Sequence, residues 1–136
     1  MATVRLVSDE EAAGLPEVAA VFADIRKTRG SDFINDFWRG LARDPATLRR
    51  TWESLKVVMG EGPLDPITRE LIYMAVSVTN GCKYCVHSHT AAARQKGMTD
   101  AQYGQFLAIV GMANETNALV TALGIEPDAA FLVASG

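Results

Sequence analysis

The stretch Glu70–Arg94, ELIYMAVSVTNGCKYCVHSHTAAAR, contains both cysteines and both histidines of the chain. Thr79-Asn80-Gly81 reads as a helix stop, with Asn80 or Gly81 suited to the left-handed conformation at a C-terminus, and a new helix begins near Cys82. Two helices joined by so short a turn predict an all-α fold built from capped helical segments. The cysteines then sit in a first turn, where unpaired backbone N–H groups and the positive end of the helix dipole favour thiolate over thiol. Cys82 and Cys85 are therefore candidate nucleophiles.

Helical geometry sorts their neighbours. At about 100° per residue, Cys82, Cys85 and His89 share one face and His87 points to the far side. His89, four residues after Cys85, can reach its sulfur as a base or as a cationic partner. On the preceding helix Glu70, Tyr73 and Ser77 fall at i, i+3 and i+7, a polar stripe that would face the cysteine helix and let the carboxylate poise the imidazole or a water. Tyr84 and Tyr73 read first as packing residues, although a phenol beside thiolates could orient a substrate or a water.

Outward from this centre the chain reads as helices throughout. Residues 1 to 13 have no clear period; Val4, Leu6 and Val7 offer a short apolar contact with the body or with another subunit. Pro16 opens a helix with Val18, Val21, Phe22 and Ile25 on one stripe, and Gly30 closes it. A second starts near Ser31 or Asp32, with Phe33, Ile34, Phe37, Trp38 and Leu41 on one broad face, and stops at Asp44-Pro45. A third runs from about Pro45 to Met59 along Leu48, Trp52, Leu55 and Val58 or Met59. Asp65-Pro66 caps the helix carrying Glu70, which buries Ile67, Leu71, Met74 or Ala75, and Val78. The cysteine helix ends at Gly97. Thr99 and Gln102 make a capping box, stapled by Met98 and Tyr103, for a last helix to about Leu123. Its Met112, Ala113, Val120 and Leu123, added to Phe106 and Val110, exceed what one side of a small monomer requires, so self-association is expected. The tail from Ile125 carries Phe131 and Leu132, suited to a short docked helix. The expectation is one domain over 1–136, an array of about six antiparallel helices, oligomeric, with its motif core at 66–97.

Composition removes several function classes. A net charge of −3 with 21% charged and 49% hydrophobic residues gives no electrostatic reason to bind nucleic acid or an anionic membrane. The first residues lack a basic region followed by an apolar run, and no stretch reads as about 20 apolar residues in a row. A cytoplasmic location is expected. A CxxC pair in such a chain points to redox or metal chemistry. A thioredoxin reading requires a βαβ context that the pattern does not supply. Zinc could in principle use Cys82, Cys85, His87 and His89, but on a continuous helix His87 projects away and no further Cys or His completes a tetrahedron. No metal and no cofactor are expected.

Glu70, the NGCKYC run and a histidine four residues after the second cysteine resemble the carboxymuconolactone decarboxylase family, specifically its alkylhydroperoxidase D-like branch. The resemblance is strongest from about Pro66 to Gly97. It implies a cysteine-based peroxidase or thiol-disulfide oxidoreductase in which Cys85 attacks the peroxide, Cys82 resolves, and His89 with Glu70 relays the proton. Tyr84 stands where the peroxidase prototype has a histidine. The resemblance further implies a small hydroperoxide substrate, an external dithiol or lipoyl-bearing protein as reductant, and a homotrimer or homohexamer. The alternatives within reach are the lactone-decarboxylating lyase that gives the family its name, which does not rely on a cysteine pair, and a non-enzymatic redox-sensing oligomer.

Overall fold

In the computed structural model residues 1–132 are described; the last four positions of the 1–136 domain expected above lie outside the described residues. Among the described residues there are seven α-helices, one 3-10 turn and no strand, which is the all-α class read from the sequence. The chain divides into two compact units, residues 1–61 and 62–136.

The first unit holds α1 (Asp9–Ala13), α2 (Pro16–Arg29), α3 (Asp36–Leu41) and α4 (Pro45–Val58). Its core is Val7, Val18, Val21, Phe22, Ile25, Ile34, Trp38, Leu48 and Trp52, with the two tryptophans edge to face at 5.5 Å. Burial of each such side chain is worth roughly 1.5–3 kcal/mol. Two features differ from the sequence reading. The arm that carries no period forms α1, started by the Ser8 hydroxyl accepting the Glu11 N–H, while Val7 makes the expected contact with the body by entering the core. The second expected helix begins four or five residues late, at Asp36, because the Ser31 hydroxyl takes the Phe33 N–H and Arg26 Nε donates to the Asp32 carbonyl, giving that backbone partners outside a helix. Phe33 is consequently 68% exposed instead of lining the broad face. On α4 the stripe ends at Leu55, and Val58 faces out.

The second unit holds α5 (Pro66–Thr79), α6 (Lys83–Gln95) and α7 (Asp100–Leu123). Asp65 caps α5 by accepting the Thr68 N–H at 3.0 Å, and the Thr99–Gln102 capping box opens α7 as expected. Met74, Ala93, Met98 and Phe106 form the core, with Ile67, Leu71, Ala75, Tyr103 and Val110 against it, so α7 packs only through its first half. Val78, expected inside, is exposed. Beyond Val110 every described residue is exposed, Met112, Leu119, Val120 and Leu123 included, and the tail after Gly124 forms a 3-10 turn at Ala129–Phe131 with Phe131 and Leu132 also exposed. By length and mean hydropathy (1.3 over its best window) α7 is apolar enough to cross a bilayer, which corrects the expectation that no stretch qualifies. Gly104, Gln105 and the run Asn114-Glu115-Thr116-Asn117 interrupt its apolar residues, so a search for an unbroken run passes over it. Within that run Asn114 Nδ2 donates to the Val110 carbonyl and the Thr116 hydroxyl to the Met112 and Ala113 carbonyls.

Candidate functional site

The α5–α6 hairpin builds the site within the second unit. α5 ends in a Schellman arrangement: the Cys82 N–H donates to the Ser77 carbonyl at 2.9 Å, the Gly81 N–H to the Val78 carbonyl at 3.1 Å, and Gly81 takes the left-handed conformation at φ 69°. Asn80 stays right-handed, so of the two residues proposed for that position glycine occupies it. The turn delivers Cys82 to the N-cap of α6, where its sulfur accepts the Cys85 N–H at 3.3 Å in the place usually held by a side-chain oxygen. Cys82 and Cys85 are joined as a disulfide, Cα to Cα 5.3 Å. Both are partly buried. The acidity expected of the two thiols belongs to the reduced form.

The acid–base groups are Glu70 on α5, His89 one turn after Cys85 on α6, and Lys96 at the C-cap of α6. Glu70 is only 4% exposed, and its Oε2 lies 2.6 Å from His89 Nδ1 while its Oε1 accepts the Lys96 ammonium. Burial pushes this carboxyl up, but the hydrogen bonds from His89 and Lys96, with their charges, outweigh it and hold the group below the usual carboxylate range. An ionised Oε2 accepts, so Nδ1 carries the hydrogen and a neutral ring keeps its lone pair on Nε2. Tyr73 stacks on the same imidazole, centroids 3.7 Å apart and planes 21° from parallel. Of the stripe Glu70, Tyr73, Ser77, the first two reach His89, whereas the buried Ser77 hydroxyl donates back to the Tyr73 carbonyl at 2.7 Å.

The sequence-derived candidates thus separate. The structure brings Glu70, Tyr73 and His89 into contact and joins Cys82 to Cys85, with Cys85 and His89 four residues apart on one helix. Tyr84 is 46% exposed, and the phenol against His89 is that of Tyr73. His87 faces outward, and among the described residues no three His, Cys, Asp or Glu side chains converge as a metal ion would require. Lys96 was missed. It follows His89 by seven residues, two helical turns, so the face shared by Cys82, Cys85 and His89 would have included it had that face been followed to the end of α6.

Comparison with known proteins adds to this geometry. The model of the carboxymuconolactone decarboxylase family matches residues 45–125. The alkyl hydroperoxide reductase AhpD of Solibacter usitatus is 37% identical over 84 residues, 62% of this chain and 42% of that protein. That of Mycobacteroides abscessus is 32% identical over 114 residues, 82% of this chain and 65% of its own. The chain therefore spans less than two thirds of the length of either relative. The crystal structure of the alkylhydroperoxidase AhpD core from Rhodospirillum rubrum is 68% identical, covers 98% of both chains and superposes with a TM-score of 0.95. With an all-α fold, a cysteine pair opening a helix and a glutamate held on the histidine beyond it, the chain belongs to the carboxymuconolactone decarboxylase family, in its alkylhydroperoxidase D-like branch.

Proposed function

We propose that this protein reduces hydroperoxides through its cysteine pair. The observation that carries the reading is the buried Glu70 carboxylate fixed on His89 Nδ1, which leaves the other ring nitrogen as a base one helical turn from Cys85. In the reduced protein His89 takes the Cys85 thiol proton, and the thiolate attacks the terminal oxygen of the hydroperoxide. The O–O bond breaks, the alkoxide leaves with the proton held by His89, and Cys85 becomes a sulfenic acid. The Cys82 thiol then condenses with it, forming the disulfide and releasing water. A dithiol carrier, for which a lipoyl-bearing protein has the right chemistry, returns two electrons and two protons by exchange. None of these steps uses a metal or a cofactor bound by the chain. A reducing compartment such as the cytoplasm suits the cycle.

The same proposal includes assembly: a second copy of the chain covers the apolar surface of α7 beyond Val110, as a homotrimer or homohexamer. Asn114 and Thr116 suit a covered helix in that the Asn114 amide and the Thr116 hydroxyl already donate to α7's own carbonyls.

The test is thiol counting against an organic hydroperoxide. The reduced protein is expected to lose two thiols per chain with matching hydroperoxide consumption. Cys82→Ser should stop after one turnover with a sulfenic acid on Cys85 that a cyclic 1,3-dione traps. Turnover that survives in Cys85→Ser contradicts the assignment, and a change of assembly on oxidation without peroxide consumption favours the redox-sensing oligomer.

A further inference from the structure

Glu70 has two oxygens and two partners, and only His89 has a part in the chemistry so far. We infer that Lys96 is a positioning residue of the relay: by holding Oε1 of Glu70 it fixes the carboxylate on His89 and sets a second positive charge beside the imidazole, so that the ring acts as a base. This rests on the peroxidase reading of the cysteine pair.

The geometry supplies the reason. A buried carboxylate facing one imidazole and no other cation gives its full charge to that ring and favours imidazolium, a base already used up. The Lys96 ammonium shares the carboxylate and adds a like charge on the same side of the ring, and both effects work against imidazolium. Lys96 sits at the C-cap of α6, so the helix that carries Cys85 and His89 also sets the reach of the ammonium. Among the described residues the ion pairs of Glu70 are with His89 and Lys96, while Arg94, on the last turn of α6, is engaged with Asp100, the Met98 carbonyl and the Tyr103 ring. The titratable groups with a described contact to His89 or to its carboxylate are Glu70 and Tyr73 from α5 and Lys96 from the end of its own helix, with Cys85 one turn before it on α6; from α7, Tyr103 and Phe106 lie in the core that includes Met74 of α5.

The experiment follows the His89 ring by NMR in the disulfide form, in which neither cysteine titrates; with only His87 as a second imidazole, His87→Gln assigns the signal. Lys96→Met and Lys96→Gln are expected to raise the ring's protonation midpoint by about one pH unit, and Lys96→Arg to leave it close to the parent. In peroxide turnover the acid limb of the pH profile should move up by the same amount, a loss of about tenfold at pH values below it. Lys96→Gln retains a donor without charge, so it separates charge from hydrogen bonding and carries the comparison if Lys96→Met does not fold. Uncharged variants with an unmoved midpoint overturn the inference, as does an arginine variant that moves as far as methionine, or failure of both uncharged variants to fold while arginine folds. If the parent consumes no hydroperoxide, the peroxidase reading fails alone and the ring midpoint still decides the role of Lys96.

Discussion

Replacing Glu70 by glutamine tests the centre of the site with almost no change of shape. The carboxylate accepts from Lys96 at one oxygen and from His89 Nδ1 at the other. An amide offers one acceptor and one donor, so one of the two protein donors must meet an N–H. If the amide oxygen stays on Lys96, the NH₂ group faces Nδ1 and the ring answers by accepting there, which moves its hydrogen to Nε2 and removes the lone pair meant for the Cys85 proton. If the amide turns over, the ammonium is left against a donor and swings to water, which its position at the end of α6 allows. A charge-assisted hydrogen bond is worth about 1.5–3 kcal/mol and is partly recovered by solvent at Lys96, so the stability loss should be near 2 kcal/mol. The larger effect is on rate: loss of a positioned base costs about 10²–10⁴-fold, and the lower half of that range is expected because water retains access to the half-buried cysteines. Stopped-flow thiol loss in the reduced Glu70→Gln protein under excess organic hydroperoxide, with a thermal melt alongside, measures both. A folded variant that reacts within threefold of the parent would refute the chain of reasoning from carboxylate to tautomer to base.

Further outcomes can be checked independently. Because the folded Glu70 carboxyl is held below its unfolded value, its contribution to stability is complete above the unfolded carboxyl range and is lost as pH falls through the folded value; melts from pH 7 downward should show a smaller acid loss in Glu70→Gln than in the parent. Thr99→Ala removes the hydroxyl that accepts the Gln102 N–H at 3.1 Å and should cost about 1 kcal/mol by denaturant unfolding, with peroxide chemistry retained. Leu119→Glu and Val120→Glu place charge on the exposed apolar length of α7; sedimentation should show a smaller assembly, and an unchanged one would show that α7 is covered by something else.

The residues that were legible in the sequence are those whose local chemistry decides their conformation. Asp65-Pro66, Thr99 with Gln102, and Gly81 and Gly124 at positive φ each specify a helix end without help from the rest of the chain. The cysteine helix follows from two such ends and the helical repeat; periodicity alone makes Glu70 a surface charge, and it is the family resemblance that puts it with His89. What was not legible depends on contacts at a distance. Ser31–Asn35 has a helical apolar pattern, but Arg26, six residues upstream of Asp32, and the Ser31 hydroxyl capture its backbone first. Val58 and Val78 continue apolar stripes past the point where a partner helix is there to cover them. Lys96 escaped because a lysine at a helix end already has a sufficient reason to be there, favourable interaction with the dipole, so its place on the face of His89 did not by itself call for a buried carboxylate as partner.

The stack of Tyr73 on His89 carries one more consequence. With one flat side covered by the phenol and one edge tied to a carboxylate, the imidazole cannot swing out to collect a hydrogen from bulk water and swing back. In the proposed cycle protons then arrive at and depart from Nε2 alone, in line, so the traffic is a hop along a fixed track whose pace is set by the small molecule that meets that nitrogen.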